Sequence, residues 1–104
     1  EYAFQDCQSL KRIKIPNTVK DVGEGSFRNC VKLKKVVMSK KVEAIYKYTF
    51  ESCFALKKVK NTKQIEFVGH YAFKNCLKLR YIEFSYSADV ADNAFANCPV
   101  ADIY

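Results

Sequence analysis

No stretch of this sequence holds the ~18–20 consecutive apolar residues that a membrane-spanning helix needs, so a transmembrane helix is excluded. No positively charged stretch followed by an apolar run opens the chain, so no retained signal peptide is expected; a processed or truncated product stays open. Glycine is scarce, at 3 residues, and no glycine-rich phosphate loop can be assembled. The single histidine, His70, leaves few proton shuttles, and no Ser/His/Asp constellation can be drawn. No Cys-x-x-Cys or close Cys/His pair is present, and zinc sites need such spacing. These gaps point away from an enzyme and from any bound metal or cofactor. What remains is a chain of 104 residues, room for one domain, with 49% hydrophobic and 28% charged residues, an ordinary globular balance. Its 18 Lys+Arg against 11 Asp+Glu give a formal charge of +7.

The sequence does hold a repeat. Phe4, Phe27, Phe50, Phe73 and Phe95 are spaced by 23, 23, 23 and 22 residues. Cys7, Cys30, Cys53, Cys76 and Cys98 each follow the Phe by three residues, and Leu10, Leu33, Leu56 and Leu79 come three further on. Ile13, Val36, Val59 and Ile82 continue the frame, then Val19, Val42 and Ile65, then Val22, Ile45, Val68 and, after a one-residue deletion, Val90. A fixed period between 20 and 50 residues marks a solenoid or array. Units this short bury their apolar faces only by stacking on one another. The whole of 1–104 therefore reads as a single solenoid with repeats at 4–26, 27–49, 50–72 and 73–94 and a partial one at 95–104.

Within a unit, Leu10-x-x-Ile13-x-Ile15 ends in strand alternation, as do the stretches from Leu33 to Met38 and from Leu79 to Phe84. One short parallel strand per coil is expected there. The Val19-x-x-Val22 stretch predicts a second extended segment on the opposite wall, followed by a turn at Gly23 and Gly69. Phe27 and Cys30, apolar at i and i+3, predict a single helical or 3₁₀ turn. Asn61 takes the apolar place of Ile15, Met38 and Phe84, which predicts either a local register change or a buried amide with backbone partners. Tyr46 stands where Gly23 and Gly69 sit, so that position should avoid positive φ. In the last unit Val100 and Ile103 replace Leu and Ile after a contraction. Glu1-Tyr2-Ala3-Phe4 aligns with His70-Tyr71-Ala72-Phe73, so the chain opens inside a unit. A fragment of a longer array is expected, or an end met by another molecule, with self-association through uncapped ends as a consequence.

These units resemble BspA-type leucine-rich repeats. The carrying segments are Ser26-Phe27-Arg28-Asn29-Cys30, Ala72-Phe73-Lys74-Asn75-Cys76, Ala94-Phe95-Ala96-Asn97-Cys98 and the stretch from Leu10 to Pro16. The resemblance implies a curved right-handed solenoid with a concave parallel sheet. It also implies kinship with bacterial and protist surface or secreted proteins that bind host or matrix proteins.

Five cysteines in a short chain suggest disulfides, but their phase argues otherwise. An in-register column puts them one strand spacing apart, ~4.7–4.9 Å, whereas a disulfide needs Cβ atoms roughly 3.8 Å apart. A column of reduced, buried thiols is expected. His70 replaces a loop residue and reads as a surface side chain.

The charge is concentrated. The outward positions of the first strands are Lys11, Arg12 and Lys14; Lys34, Lys35 and Val37; Lys57, Lys58 and Lys60; Arg80, Tyr81 and Glu83. Nine of these twelve are basic, half of all the Lys+Arg, and only Glu83 is acidic. Two readings stay open. A solvated lysine face keeps an exposed sheet soluble, and lysine-rich codon usage produces one without selection. An anion-binding strip instead attracts an acidic protein segment or a sulfated glycan by salt-dependent steering, with Tyr81, Val37 and Tyr86 adding apolar contact. Nucleic acid is disfavoured, because no aromatic series interleaves the lysines. The leading expectation is a non-enzymatic protein-binding module of a cell-surface or secreted adhesin. The alternative is a cytoplasmic structural scaffold, which unpaired cysteines fit equally well.

Overall fold

The computed structural model describes residues 3–100 and 102–103. Glu1 and Tyr2, which open the alignment with His70 and Tyr71, lie outside the described residues. The strands are β1 (Arg12–Lys14), β2 (Lys35–Val37), β3 (Ala44–Ile45), β4 (Lys58–Lys60), β5 (Phe67–Val68), β6 (Tyr81–Ile82), β7 (Asp89–Val90) and β8 (Asp102–Ile103). Strands of two or three residues are unstable alone, and each persists here by pairing with the same stretch of a neighbouring coil.

Every pairing is parallel. One wall is β1-β2-β4, continued past a break by β6-β8; the other is β3-β5-β7. The register follows the sequence period, with Ile13 opposite Val36 and Val36 opposite Val59. Ile45, Val68 and Val90 line up on the second wall. Ile82 pairs with Ile103, so the contracted last unit keeps the phase, and Val100 packs against the core.

Between the walls the repeated apolar positions form columns. The rings of Phe4, Phe27, Phe50, Phe73 and Phe95 stack at centroid spacings of 5.3, 5.4, 5.2 and 5.1 Å. Beside them the thiols of Cys30, Cys53 and Cys76 donate to the carbonyls of Phe4, Phe27 and Phe50 at 3.0, 3.1 and 3.2 Å. Leu33, Leu56, Leu79, Val36 and Ile65 are fully buried around these columns.

The predicted helical or 3₁₀ turn at Phe27 to Cys30 is a tight turn instead, and no helix occurs among the described residues. The Cys30 N–H donates to the Phe27 carbonyl at 3.2 Å, but Asn29 has φ 60°, which ends any helical run. Asp6, Ser52, Asn75 and Asn97 hold the same place at positive φ, and short polar side chains tolerate it best.

The second turn differs from expectation. Tyr46 avoids positive φ, as predicted, but so do Gly23 and Gly69; the left-handed residues come two later, at Gly25, Tyr48 and Tyr71. For the two tyrosines this is strained. Their rings stack at 5.7 Å, with Arg28 over Tyr48 and Lys74 over Tyr71, both at 4.9 Å. Gly69 is required for close approach: a Cβ there would lie 2.8 Å from the Lys47 nitrogen and 3.2 Å from the Tyr46 carbonyl carbon. Because those neighbours are backbone, they cannot swing aside. Gly69→Ala should cost about 1–3 kcal/mol in a urea melt, the usual range for forced overpacking; a neutral result would show that the coils can separate there.

Candidate functional site

Alternation along β1, β2 and β4 turns Ile13, Val36 and Val59 toward the core and their neighbours outward. The parallel register then stacks Arg12, Lys35 and Lys58 in one column and Lys14, Val37 and Lys60 in another. Just before the strands, the Lys34 N–H donates to the Lys11 carbonyl at 2.7 Å and the Lys57 N–H to the Lys34 carbonyl at 2.9 Å, aligning a third column. Arg80 and Tyr81 lie beyond the break, at the start of β6. All ten residues named from the sequence are exposed except the half-buried Lys35.

Ion pairs among the described residues join Arg28 to Glu51 at 2.5 Å and Lys63 to Glu83 at 3.9 Å. Neither involves a basic residue of the strip. Asp21, Glu43, Glu66 and Asp89, all exposed, belong to the other wall. Adjacent strands lie ~4.8 Å apart, so the lysine columns repel one another without local neutralisation.

The break in this face traces to Asn61. In the first two interfaces the ladder ends with the Ile15 N–H on the Val37 carbonyl and the Met38 N–H on the Lys60 carbonyl, both at 2.9 Å. Asn61 instead has φ 64°, and the hydroxyl of buried Thr62 donates to the Glu83 carbonyl. Of the two sequence expectations the amide with a backbone partner is the one seen, the half-buried Asn61 amide donating to the Met38 carbonyl at 3.2 Å, beside a loss of pairing between β4 and β6 rather than a register change. The Gln64 amide nitrogen lies 3.1, 3.0 and 2.7 Å from the carbonyls of Ser39, Val42 and Asn61, holding the turn.

Where the ladder stops, a groove of about 720 Å³ opens between β4 and β6, lined by Lys57, Lys58, Lys60, Lys63, Tyr81 and Glu83 among others. A second hollow of about 490 Å³ lies against Lys57, Lys78, Arg80 and Tyr81. Sequence reasoning missed Lys40, Lys63 and Gln64 in the groove lining. Its one signal was Asn61, the polar residue in an apolar column.

A family profile of BspA type leucine rich repeat regions matches residues 1–101, in six copies. The chain belongs to the BspA-type leucine-rich repeat family. Leucine-rich repeat proteins are, as a class, non-enzymatic protein-binding modules. The BspA-type chain superposes on a leucine-rich repeat protein from Bacteroides ovatus with a TM-score of 0.88 and 35% identity, over 97% of this chain and 27% of that one. A leucine-rich repeat protein of T. pallidum gives 0.71 and 32%, over 76% and 37% of the two chains. A leucine-rich cell surface protein from Faecalibacterium prausnitzii gives 0.88 and 28%, over 97% and 27%. This chain therefore spans between 27% and 37% of the length of these solved proteins. A comparison with curated proteins finds no match. Among the described residues no helix is long and apolar enough to cross a membrane.

The five cysteines of this BspA-type solenoid are free. Burial pushes the thiols of Cys53, Cys76 and Cys98 up, and that of Cys30 from its usual 9.0 to about 11. A neutral thiol is a poor nucleophile. At neutral pH a thiol reagent should therefore label half-buried Cys7 and Cys98 first, and Cys30, Cys53 and Cys76 only as fast as the protein unfolds. Rapid labelling of all five would overturn the buried column. These thiols favour the fold in their neutral form. Cys30 thus contributes stability that is whole below about pH 9 and fades toward pH 11, where the unfolded chain alone ionises.

Proposed function

We propose that this chain is a binding segment of a cell-surface or secreted leucine-rich repeat protein, and that its β1-β2-β4 face takes an acidic segment of a partner protein. The observation that carries the reading is the basic face itself: nine cationic side chains on adjacent coils, none paired with a carboxylate among the described residues. Columns of like charge oppose folding, so such a face is most stable when an anion covers it. The family supports protein binding, and the description of the Faecalibacterium prausnitzii protein as a cell surface protein supports the location. The five free cysteines favour a second reading, a scaffold segment in the reducing cytoplasm. A sulfated glycan is the competing ligand for the same charges.

The test is capture on the immobilised chain. An acidic protein retained at about 50 mM salt should be lost at about 500 mM, because screening shortens the reach of the lysine field. Salt-independent capture would move the contact off the basic face. A signal sequence and anchor in the parent protein would favour the surface over the scaffold.

A further inference from the structure

We propose that the groove between β4 and β6 seats one apolar side chain of an extended acidic peptide, and that the Asn61 turn is the element that makes this seat. The inference rests on the reading of the basic face as a partner-binding surface. An unbroken lysine-bearing sheet attracts any polyanion without selecting among them, since long-range steering reads charge rather than shape. The break changes that. Asn61 enters the left-handed region, Thr62 takes over the bond to the Glu83 carbonyl, and a groove of about 720 Å³ replaces the flat ladder. Its volume falls in the range of small-ligand pockets, ~300–1,000 Å³.

Lys58 and Lys60 stand on one side and Tyr81, 53% exposed, on the other, with buried Val59 and Ile82 beneath. Lysine stems are apolar up to the ammonium, so the groove offers an apolar bottom and a rim on which Lys57, Lys58, Lys60 and Lys63 outnumber the one carboxylate, Glu83, itself 3.9 Å from Lys63. A peptide with an apolar residue between carboxylates matches both parts. A sulfated glycan supplies the charges but nothing for the bottom. The turn is held by the Gln64 amide and by the Asn61 bond to the Met38 carbonyl, so the groove is part of the fold.

The experiment is fluorescence anisotropy with three probes: a peptide with one leucine between two pairs of glutamates, the same peptide with alanine for leucine, and a sulfated hexasaccharide. Asn61→Met restores the side chain that Met38 places one coil earlier and keeps every lysine. It should lose about tenfold in affinity for the leucine peptide, the worth of one seated apolar side chain. Tyr81→Ala removes an exposed wall without touching the core and should also lose about tenfold. The groove is overturned if Asn61→Met and Tyr81→Ala both bind as the parent does, or if the alanine peptide or the saccharide binds the parent as tightly as the leucine peptide. Reversal of Lys35, Lys58 and Lys60 in the same assay separates the two ideas. Loss on reversal with no loss in the groove variants keeps the basic face and discards the groove; no loss in either discards both.

Discussion

Phe50→Ala should destabilise the solenoid by about 3–5 kcal/mol in a denaturant melt, the largest effect of any single truncation here. Phe50 is fully buried and stacks on Phe27 and Phe73 at 5.4 and 5.2 Å. Its removal leaves a ring-sized void bordered by two other rings, which cannot close on it without shifting the coils. In a stacked array each unit is stabilised by its neighbours, so a defect in a middle unit weakens two interfaces at once. A domain of this size is stable by only ~5–15 kcal/mol. The melting temperature should accordingly fall by more than about 10 °C. Phe4 provides the comparison: among the described residues it stacks only on Phe27, at 5.3 Å, and it is 42% exposed. Phe4→Ala should cost less than about 2 kcal/mol. Equal losses for Phe4→Ala and Phe50→Ala would show that the aromatic column does not couple the coils.

The second large effect concerns the basic face. Reversing Lys35, Lys58 and Lys60 to glutamate removes three cations and adds three anions in adjacent columns. Affinity for an acidic partner should fall on the order of a hundredfold, because like charges then face each other across the contact. The fold itself responds in the opposite sense to the single change Lys35→Glu. Lys35 lies between Arg12 and Lys58, and a carboxylate there makes two attractive cross-strand pairs in place of two repulsive ones. At roughly 0.2–1 kcal/mol per pair, Lys35→Glu should raise stability while it weakens binding. A solvated face with no partner predicts the gain without the loss, so measuring both quantities on the same variant separates the readings.

Much of the fold was legible because each core position is written several times. The Phe, Cys and Leu columns share one phase, and stacking gives all members of a column the same surroundings. The corners were less legible. Asp6, Asn29, Ser52, Asn75 and Asn97 hold positive φ, and their recurrence just before each cysteine was a usable signal that a helical spacing of Phe and Cys obscured. Tyr48 and Tyr71 carry no such signal: their strained backbone is held by ring stacking and by cations from neighbouring coils, which local preference does not encode. Gly69 looked like a turn residue, but what excludes a side chain there is the backbone of the coil before it.

The candidate site divides along the same line. The columns Arg12, Lys35, Lys58 and Lys14, Val37, Lys60 could be named in advance because a constant period decides which residues fall in register. The groove could not. Asn61 was visible as a departure from the apolar column. Its consequence depended on two carbonyls a coil away on either side, that of Met38, which the Asn61 amide reaches, and that of Glu83, which the Thr62 hydroxyl reaches. By itself the sequence determined the solenoid and its core columns, since periodic spacing converts directly into columns when identical units stack. Only the tertiary structure decided where the sheet breaks open, because the Met38 and Glu83 carbonyls that the Asn61–Thr62 turn bonds belong to the coils before and after it.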